Sequence, residues 1–248
     1  MGTPDGRGLA ALEREVLAVL VLYGRTADES VTLRSLREGL RRLGARLDVF
    51  VYDNSPSASP PAQAAEWRME YRHDPSNPGV SRAYLEGAQL AAARRKRWLL
   101  LLDQDTSFPP DAMAVYAQAL QRNPTEALFA PVLRSGRRIV SPCGYRFPRG
   151  VPLRTVQSGP QPLAGKSILN SGMCISLAAY QRTGGHDPRI GLDFSDHEFI
   201  DRFRRTHDRA YILPVECLHG FSGDDTAGVA SGLLRFEFYC RGARYAGP

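Results

Sequence analysis

The chain has 248 residues, 43% of them hydrophobic, and a formal net charge of +6 at pH 7. That much apolar material can bury a core as one large domain, which argues against an intrinsically disordered chain. No stretch reaches the ~18 uninterrupted apolar residues of a membrane span, and residues 1–15 lack the apolar centre of a signal peptide, so a soluble, intracellular protein is expected.

In chain order, residues 16–23 form an apolar run that ends in Gly24-Arg25-Thr26 and suits a first strand. Helical spacing over 33–43 follows, then a second strand over 47–52 that ends in Asp53-Asn54-Ser55. A Pro/Ser loop at 55–61, a short strand at 68–72 and a turn at 75–79 precede a helix over 80–94, where Val80, Tyr84, Ala88 and Ala91 recur at helical intervals. Strand, helix, strand, short strand, helix and strand make a doubly wound opening.

The run Trp98-Leu99-Leu100-Leu101-Leu102 then ends in Asp103-Gln104-Asp105. A continuous apolar run of this kind reads as a central strand covered on both faces, and ligands of such sheets sit beyond the strands' carboxyl ends. Alternate residues of an extended chain point the same way, so Asp103 and Asp105 can face one site. Their repulsion there is most simply relieved by a divalent cation, and oxygen ligands suit Mg²⁺ or Mn²⁺. A pair of helix-capping aspartates at a strand terminus is the competing explanation.

Beyond the acids the pattern predicts a helix over 110–121 and a strand over 127–133. An irregular or hairpin insertion rich in Gly, Pro and Arg covers 134–165, and order resumes over 167–177. A helix over 178–182, the turn Gly184-Gly185, a helix starting near Ser195 and a strand over 210–214 complete this half. Residues 222–228 form a polar loop of the kind that closes over a ligand. Val229, Leu233, Phe236 and Cys240 then share one helical face, read as core packing, with docking on a membrane surface as the alternative.

The four cysteines, at 143, 174, 217 and 240, have no Cys-x-x-Cys spacing and indicate neither a zinc site nor a disulfide framework. The positive charge is almost wholly arginine, and its clusters at 94–97 and 202–205 fall on expected helices without the signature of a nucleic-acid-binding module. No nucleic-acid partner is expected, although a basic surface suits anionic headgroups or polyanionic substrates.

The order and spacing of several of these segments resemble family 2 glycosyltransferases of the GT-A fold, and among them the bacterial rhamnosyltransferase-like subgroup. The carriers are Asp53-Asn54-Ser55, Asn77-Pro78-Gly79-Val80-Ser81-Arg82-Ala83, Asp103-Gln104-Asp105, Asn170-Ser171-Gly172, Gly184-Gly185-His186-Asp187, Asp196-His197-Glu198-Phe199 and His219, spread from residue 16 to about 219. The resemblance implies an α/β fold, GT-A-like, with a Rossmann-like, mostly parallel central sheet and helices on both faces. It implies one domain over 1–248: a nucleotide-sugar-binding half over about 16–106, an acceptor and catalytic half over about 107–220, and a lid and helix over 221–248.

The implied activity is metal-dependent, inverting transfer of a sugar from a nucleotide diphosphate donor to a hydroxyl. The donor would be dTDP-rhamnose or a UDP-sugar, the acceptor a saccharide or lipid-linked saccharide, and the setting bacterial polysaccharide or glycolipid synthesis in the cytoplasm or at the inner face of the membrane. By the resemblance Asp53, Asn54, Asn77 and Gly79 contact the nucleotide, Asp103 lies near ribose and sugar, and Asp105 and His219 hold Mn²⁺ or Mg²⁺. Asn170, Ser171 and Gly172 line the pocket, Asp196 is the base, and Glu198 contacts donor or acceptor hydroxyls. Leu85 departs from the family pattern, standing where a second Asn is frequent. A nucleotidyltransferase would need a richer phosphate loop than Gly24-Arg25-Thr26, and a catalytically inactive sugar-nucleotide-binding scaffold is the other alternative.

Overall fold

The computed structural model describes residues 6–220 and 229–246, so the expected lid over 222–228 lies outside the described residues. A helix that the pattern did not predict, α1 (Gly6–Glu15), leads into β1 (Val16–Leu22), α2 (Val31–Leu43), β2 (Leu47–Asp53), β3 (Trp67–His73), α3 (Val80–Ala93) and β4 (Trp98–Leu102). The two-residue β5 (Thr106–Ser107), α4 (Ala112–Arg122) and β6 (Leu128–Ser135) follow. The insertion resolves into short strands: β7 (Arg138–Ser141), β8 (Cys143–Arg146), β9 (Arg149–Pro152), β10 (Gly159–Pro162) and β11 (Lys166–Ser167). The chain closes with β12 (Cys174–Ser176), α5 (Leu177–Arg182), α6 (Ser195–Phe203), β13 (Arg209–His219) and α7 (Val229–Ala246).

The main sheet runs β10-β13-β6-β12-β4-β1-β2-β3, with β5 and β7 at its margins. The pairs β3/β2, β2/β1, β1/β4 and β6/β13 are parallel, whereas β12 runs antiparallel between β4 and β6. Strands β8, β9 and β11 form a separate small sheet. Strand β1 is buried along its whole length and splits its side chains between two cores. Val16, Ala18, Leu20 and Leu22 face the layer containing α2 and α4, while Leu17, Val19 and Val21 face α3, α5 and α6. Burial on both faces is why the strand reads as an unbroken apolar run rather than an alternating one.

Two close approaches seat α3. Gly87 lies on β1 so tightly that an added Cβ would meet Val19 Cγ2 at 2.4 Å, so this glycine serves helix–strand packing. Gly79, at φ +92°, is met by the backbone of Gly191: an added Cβ would lie 2.0 Å from the Gly191 carbonyl oxygen, which accepts from Val80 N at 2.6 Å. The space a side chain would take at this position is thus filled by the chain's own second half.

Helix α7 also departs from expectation. Leu233 and Phe236, 60% and 63% exposed, and Cys240 face outward instead of into the core. Docking is made by Phe238 over Gly191, by Tyr239 against Phe194 with ring centroids 5.0 Å apart, and by buried Gly242 beside the Asp193 carbonyl. No described helix is long and apolar enough to cross a membrane.

Gly87→Ala is expected to destabilise the chain by about 1–3 kcal/mol, because β1 cannot yield to the added methyl without moving the sheet. At this chain size that is a fall of several degrees in Tm, readable by calorimetry. An unchanged Tm would contradict the tight α3–β1 contact.

Candidate active site

The main sheet changes direction of winding at β1 and β4, and Asp103 and Asp105 stand just beyond β4 at that point, where ligands of open α/β sheets bind. They lie in a turn, not in the strand: β4 ends at Leu102 and β5 begins at Thr106. The turn is held from several sides. The Gln104 side chain bridges to the exit of β1, accepting from Tyr23 N at 3.0 Å and donating to Tyr23 O at 3.1 Å. At the start of α2, Ser30 Oγ donates to Gln104 O at 3.0 Å, and Thr32 Oγ1 lies 2.6 Å from Asp103 O while accepting from Thr106 N at 2.9 Å. The apolar β4 thus hands over to a turn that hydrogen bonds to β1 and α2 hold in place.

The far end of β13 pairs with β5 and brings His219 opposite Thr106. One ligand atom each from Asp103, Asp105 and His219 lies within 4.8 Å of the others. Thr106 Oγ1 is 2.7 Å from His219 Nδ1 and 2.7 Å from Ser171 Oγ, which fixes the ring. Tyr84 Oη donates to Asp103 Oδ1 at 3.0 Å, so a tyrosine that the pattern marks only as part of a core stripe orients an acid. Burial, with the like charge of Asp105, pushes Asp103 up to about 6, and burial raises Asp105 as well. Asp105 Oδ1 is buried without a hydrogen-bond partner among the described residues. An unsatisfied carboxylate oxygen in a two-carboxylate, one-imidazole cluster fits a divalent cation.

Several residues expected to contact the nucleotide or line the pocket bond to other parts of the chain. Asp53 is fully buried, with Oδ1 accepting from Ser55 N at 2.9 Å and Oδ2 from Tyr71 Oη at 2.6 Å, so both oxygens already have protein donors. Asn54 is buried, with its Oδ1 lacking a hydrogen-bond partner among the described residues. Asn77 is half-buried in a turn at φ +48°. Asn170, Ser171 and Gly172 are buried beside the acids. Ser171 is fully buried, Gly172 N donates to Leu101 O at 2.8 Å, and a Cβ on Gly172 would strike Pro131 at 2.7 Å.

The Asn170 amide is spent on the interior: Oδ1 is 3.0 Å from His186 Nε2, and Nδ2 donates to Ser195 Oγ at 3.2 Å. His186, read from sequence as an ordinary histidine, is buried between Tyr84 at 5.1 Å and Phe199 at 4.5 Å. Because the amide oxygen can only accept, the ring proton sits on Nε2, and Nδ1 accepts from Tyr180 Oη at 3.0 Å. Burial drives His186 down to about 3, keeping it neutral.

This buried chain fixes Ser195, the first residue of α6, and with it Asp196 in the helix's first turn. Phe194 precedes the helix at φ +73°, a conformation costly for a bulky residue, and is held by Phe147 and Tyr239. Asp196 is close enough to Asp103 and Tyr84 for its charge to raise both, and it keeps a partly exposed carboxylate. Glu198 is otherwise engaged. Arg202 Nη2 donates to its Oε2 at 2.6 Å and Arg202 Nε to its Oε1. Leu85 packs against Gly185, where an added Cβ would meet its Cδ2 at 2.7 Å.

A mostly parallel α/β sheet with acids at its switch point, a strand-end histidine and a facing helix-borne carboxylate is the GT-A architecture. The chain belongs to glycosyltransferase family 2: the model "Glycosyl transferase family 2" matches residues 18–141, half of its length. No curated protein is detectably similar in sequence. Among solved structures, S. aureus TarS 1–349 superposes with a TM-score of 0.56 at 12% identity, covering 80% of this chain and 57% of that one. Its complex with UDP-GlcNAc gives 0.56 at 11% identity, with 87% and 62% covered, and its complex with UDP gives 0.54 at 11%, with 80% and 57% covered. The chain therefore spans about three-fifths of those solved chains.

Because His186 stays neutral when folded but takes up a proton near pH 6.5 when unfolded, stability is lost as pH falls below 6.5 and down to about 3. In urea melts at pH 7, 6 and 5, the stability of wild type relative to His186→Gln should fall by about 1.4 kcal/mol per pH unit below 6.5. Parallel pH profiles for the two proteins would contradict the neutral buried imidazole.

Proposed function

We propose that the chain is a metal-dependent, inverting glycosyltransferase that moves a sugar from a nucleotide diphosphate donor to a hydroxyl of a saccharide or lipid-linked saccharide. The convergence of Asp103, Asp105 and His219 beyond the switch point carries the reading. The half over about 16–106 would take the donor and the half over about 107–220 the acceptor. The solved TarS complexes with UDP and UDP-GlcNAc favour a UDP-sugar, whereas the resemblance to the rhamnosyltransferase-like subgroup favours dTDP-rhamnose. Either donor suits synthesis of a bacterial polysaccharide or glycolipid. Leu233 and Phe236, exposed on α7 with Arg241 and Arg244, support peripheral contact with a membrane that presents a lipid-linked acceptor.

Asp105 and His219 would hold Mn²⁺ or Mg²⁺, with Asp103 completing the cluster toward ribose and sugar. When bound, that ion supplies Lewis-acid neutralisation of the departing diphosphate. Tyr84 and Thr106 keep Asp103 and His219 oriented, so little reorganisation is needed as charge develops. On the acceptor side an alcohol is a weak nucleophile, and Asp196 takes its proton as the hydroxyl oxygen attacks the anomeric carbon. Asp196 stands in the first turn of α6, beside the helix's unpaired N-terminal N–H groups. A single displacement inverts the anomeric configuration.

With Mn²⁺ present, UDP or dTDP at about 100 times its Kd should stabilise the wild type by roughly 2.7 kcal/mol, a rise of several degrees in Tm. Asp105→Ala should lose the metal-dependent part of that rise. If no nucleotide moves the melting point with any divalent ion, the reading fails. Asp196→Asn should keep the nucleotide shift while turnover falls about 10²–10⁴-fold. Turnover within a few-fold of wild type would remove Asp196 from the role of base.

A further inference from the structure

Beside the middle and end of α6 lies a cavity of about 530 Å³ that none of the donor-side residues enters. Its walls include Tyr145, Phe147 and Tyr245, with Arg202, Arg204 and Arg205 from the end of α6 and just beyond. Tyr145 joins this cavity to the proposed base. Its ring stacks on His197, the residue after Asp196, with centroids 4.1 Å apart, and its hydroxyl feels the charges of both Asp196 and Asp201. That hydroxyl is buried without a hydrogen-bond partner among the described residues, an arrangement proteins seldom leave unmet. Phe147 and Tyr245 are well exposed although they line a concavity, which offers apolar platforms for the faces of a ligand.

The three arginines differ in availability. Arg202 is held by Glu198 and donates to Thr183 O at 2.6 Å, and Arg204 pairs with Asp201 at 3.0 Å. Arg205 makes no ion pair among the described residues and is exposed at the cavity. With two of the three cations neutralised by Glu198 and Asp201, the lining keeps one uncompensated positive charge. At about 1.5 Å rise per helical residue, the seven steps from Asp196 to Phe203 span roughly 10 Å, and Arg205 lies two residues beyond the end of α6. One ligand can present a hydroxyl at Asp196 and meet Arg205 only if it extends over that length.

We infer that this cavity is a distal acceptor subsite, and that the acceptor is an extended saccharide bearing an anionic group, a carboxylate or a phosphate, on a unit beyond the one that receives the sugar. The inference rests on the glycosyltransferase reading for the position of the reacting hydroxyl. Arg205 recognises the anion, Phe147 and Tyr245 carry the sugar faces, and the Tyr145 hydroxyl donates to a ring substituent.

The test is calorimetric titration of the whole chain with cellobiose, cellobiouronic acid, cellobiose 1-phosphate and inorganic phosphate, beside the nucleotide thermal shift on the same samples. At least one anionic disaccharide should bind about tenfold more tightly than cellobiose, and that preference should vanish in Arg205→Gln. Phe147→Ala should weaken the disaccharides and leave the nucleotide shift unchanged. Preference for the uronic acid or for the phosphate identifies which anion the acceptor carries. Equal binding of neutral and anionic disaccharides, a preference that survives Arg205→Gln, or inorganic phosphate binding as well as any disaccharide overturns the inference. So does absence of saccharide binding while nucleotides still stabilise the protein. Loss of the nucleotide shift with an arginine-dependent anion preference intact overturns the donor reading and leaves the subsite standing.

Discussion

Two carboxylates held side by side against their own repulsion are the constraint around which this fold is organised. Asp103 and Asp105 sit two residues apart in a turn that cannot relax, because Gln104 is bound to β1 and Thr32 reaches into the turn from α2. Burial raises the proton affinity of both acids, so an empty site favours protonation and a bound cation favours ionisation. The sheet supplies the rigidity: β4 lies between β1 and β12, and each neighbour sends a loop that touches the turn.

The second half of the chain completes the site from the other side. Because β12 runs antiparallel to β4, the Asn170–Gly172 segment that enters it meets the carboxyl end of β4 rather than the opposite edge. Ser171 thereby reaches the Thr106 hydroxyl that orients His219, and Asn170 reaches through Ser195 to α6. A neutral histidine joins the two arms, since His186 packs against Tyr84 of α3 and bonds Asn170. The Asp103 and α6 sides of the site thus share one buried polar framework, in which a charge on the imidazole would cost stability.

The strands β1, β2 and β4 were legible because full burial on two faces requires apolar runs, and α2 and α3 because one face of each meets the sheet. The two-residue β5 carries too little pattern to be read, and the hairpins of the insertion alternate Gly, Pro and Arg on strands that are largely exposed. The acids were found for a partly mistaken reason, since strand alternation was invoked where a turn does the placing. Asp53, Gly79 and Asn170 were legible as unusual residues but not in their contacts, which come from Tyr71, Gly191 and His186, distant in the chain. On α7, periodicity marks an apolar face without telling which side meets the protein. Here the docked side is set by Phe238 and Gly242, which fit against Gly191 and Asp193.

The contact between Gly79 and Gly191, and the pairing of β5 with the end of β13, tie together segments more than a hundred positions apart. At ~5–20 residues per second, His219 leaves the ribosome roughly 5–25 seconds after Asp105. For that interval the nascent chain carries an acidic turn without its histidine, and a glycine-lined gap over α3 without the backbone that fills it. Closing loops of that length costs more entropy than pairing neighbouring strands, so the β1–β4 sheet is the scaffold on which the two halves of the site meet.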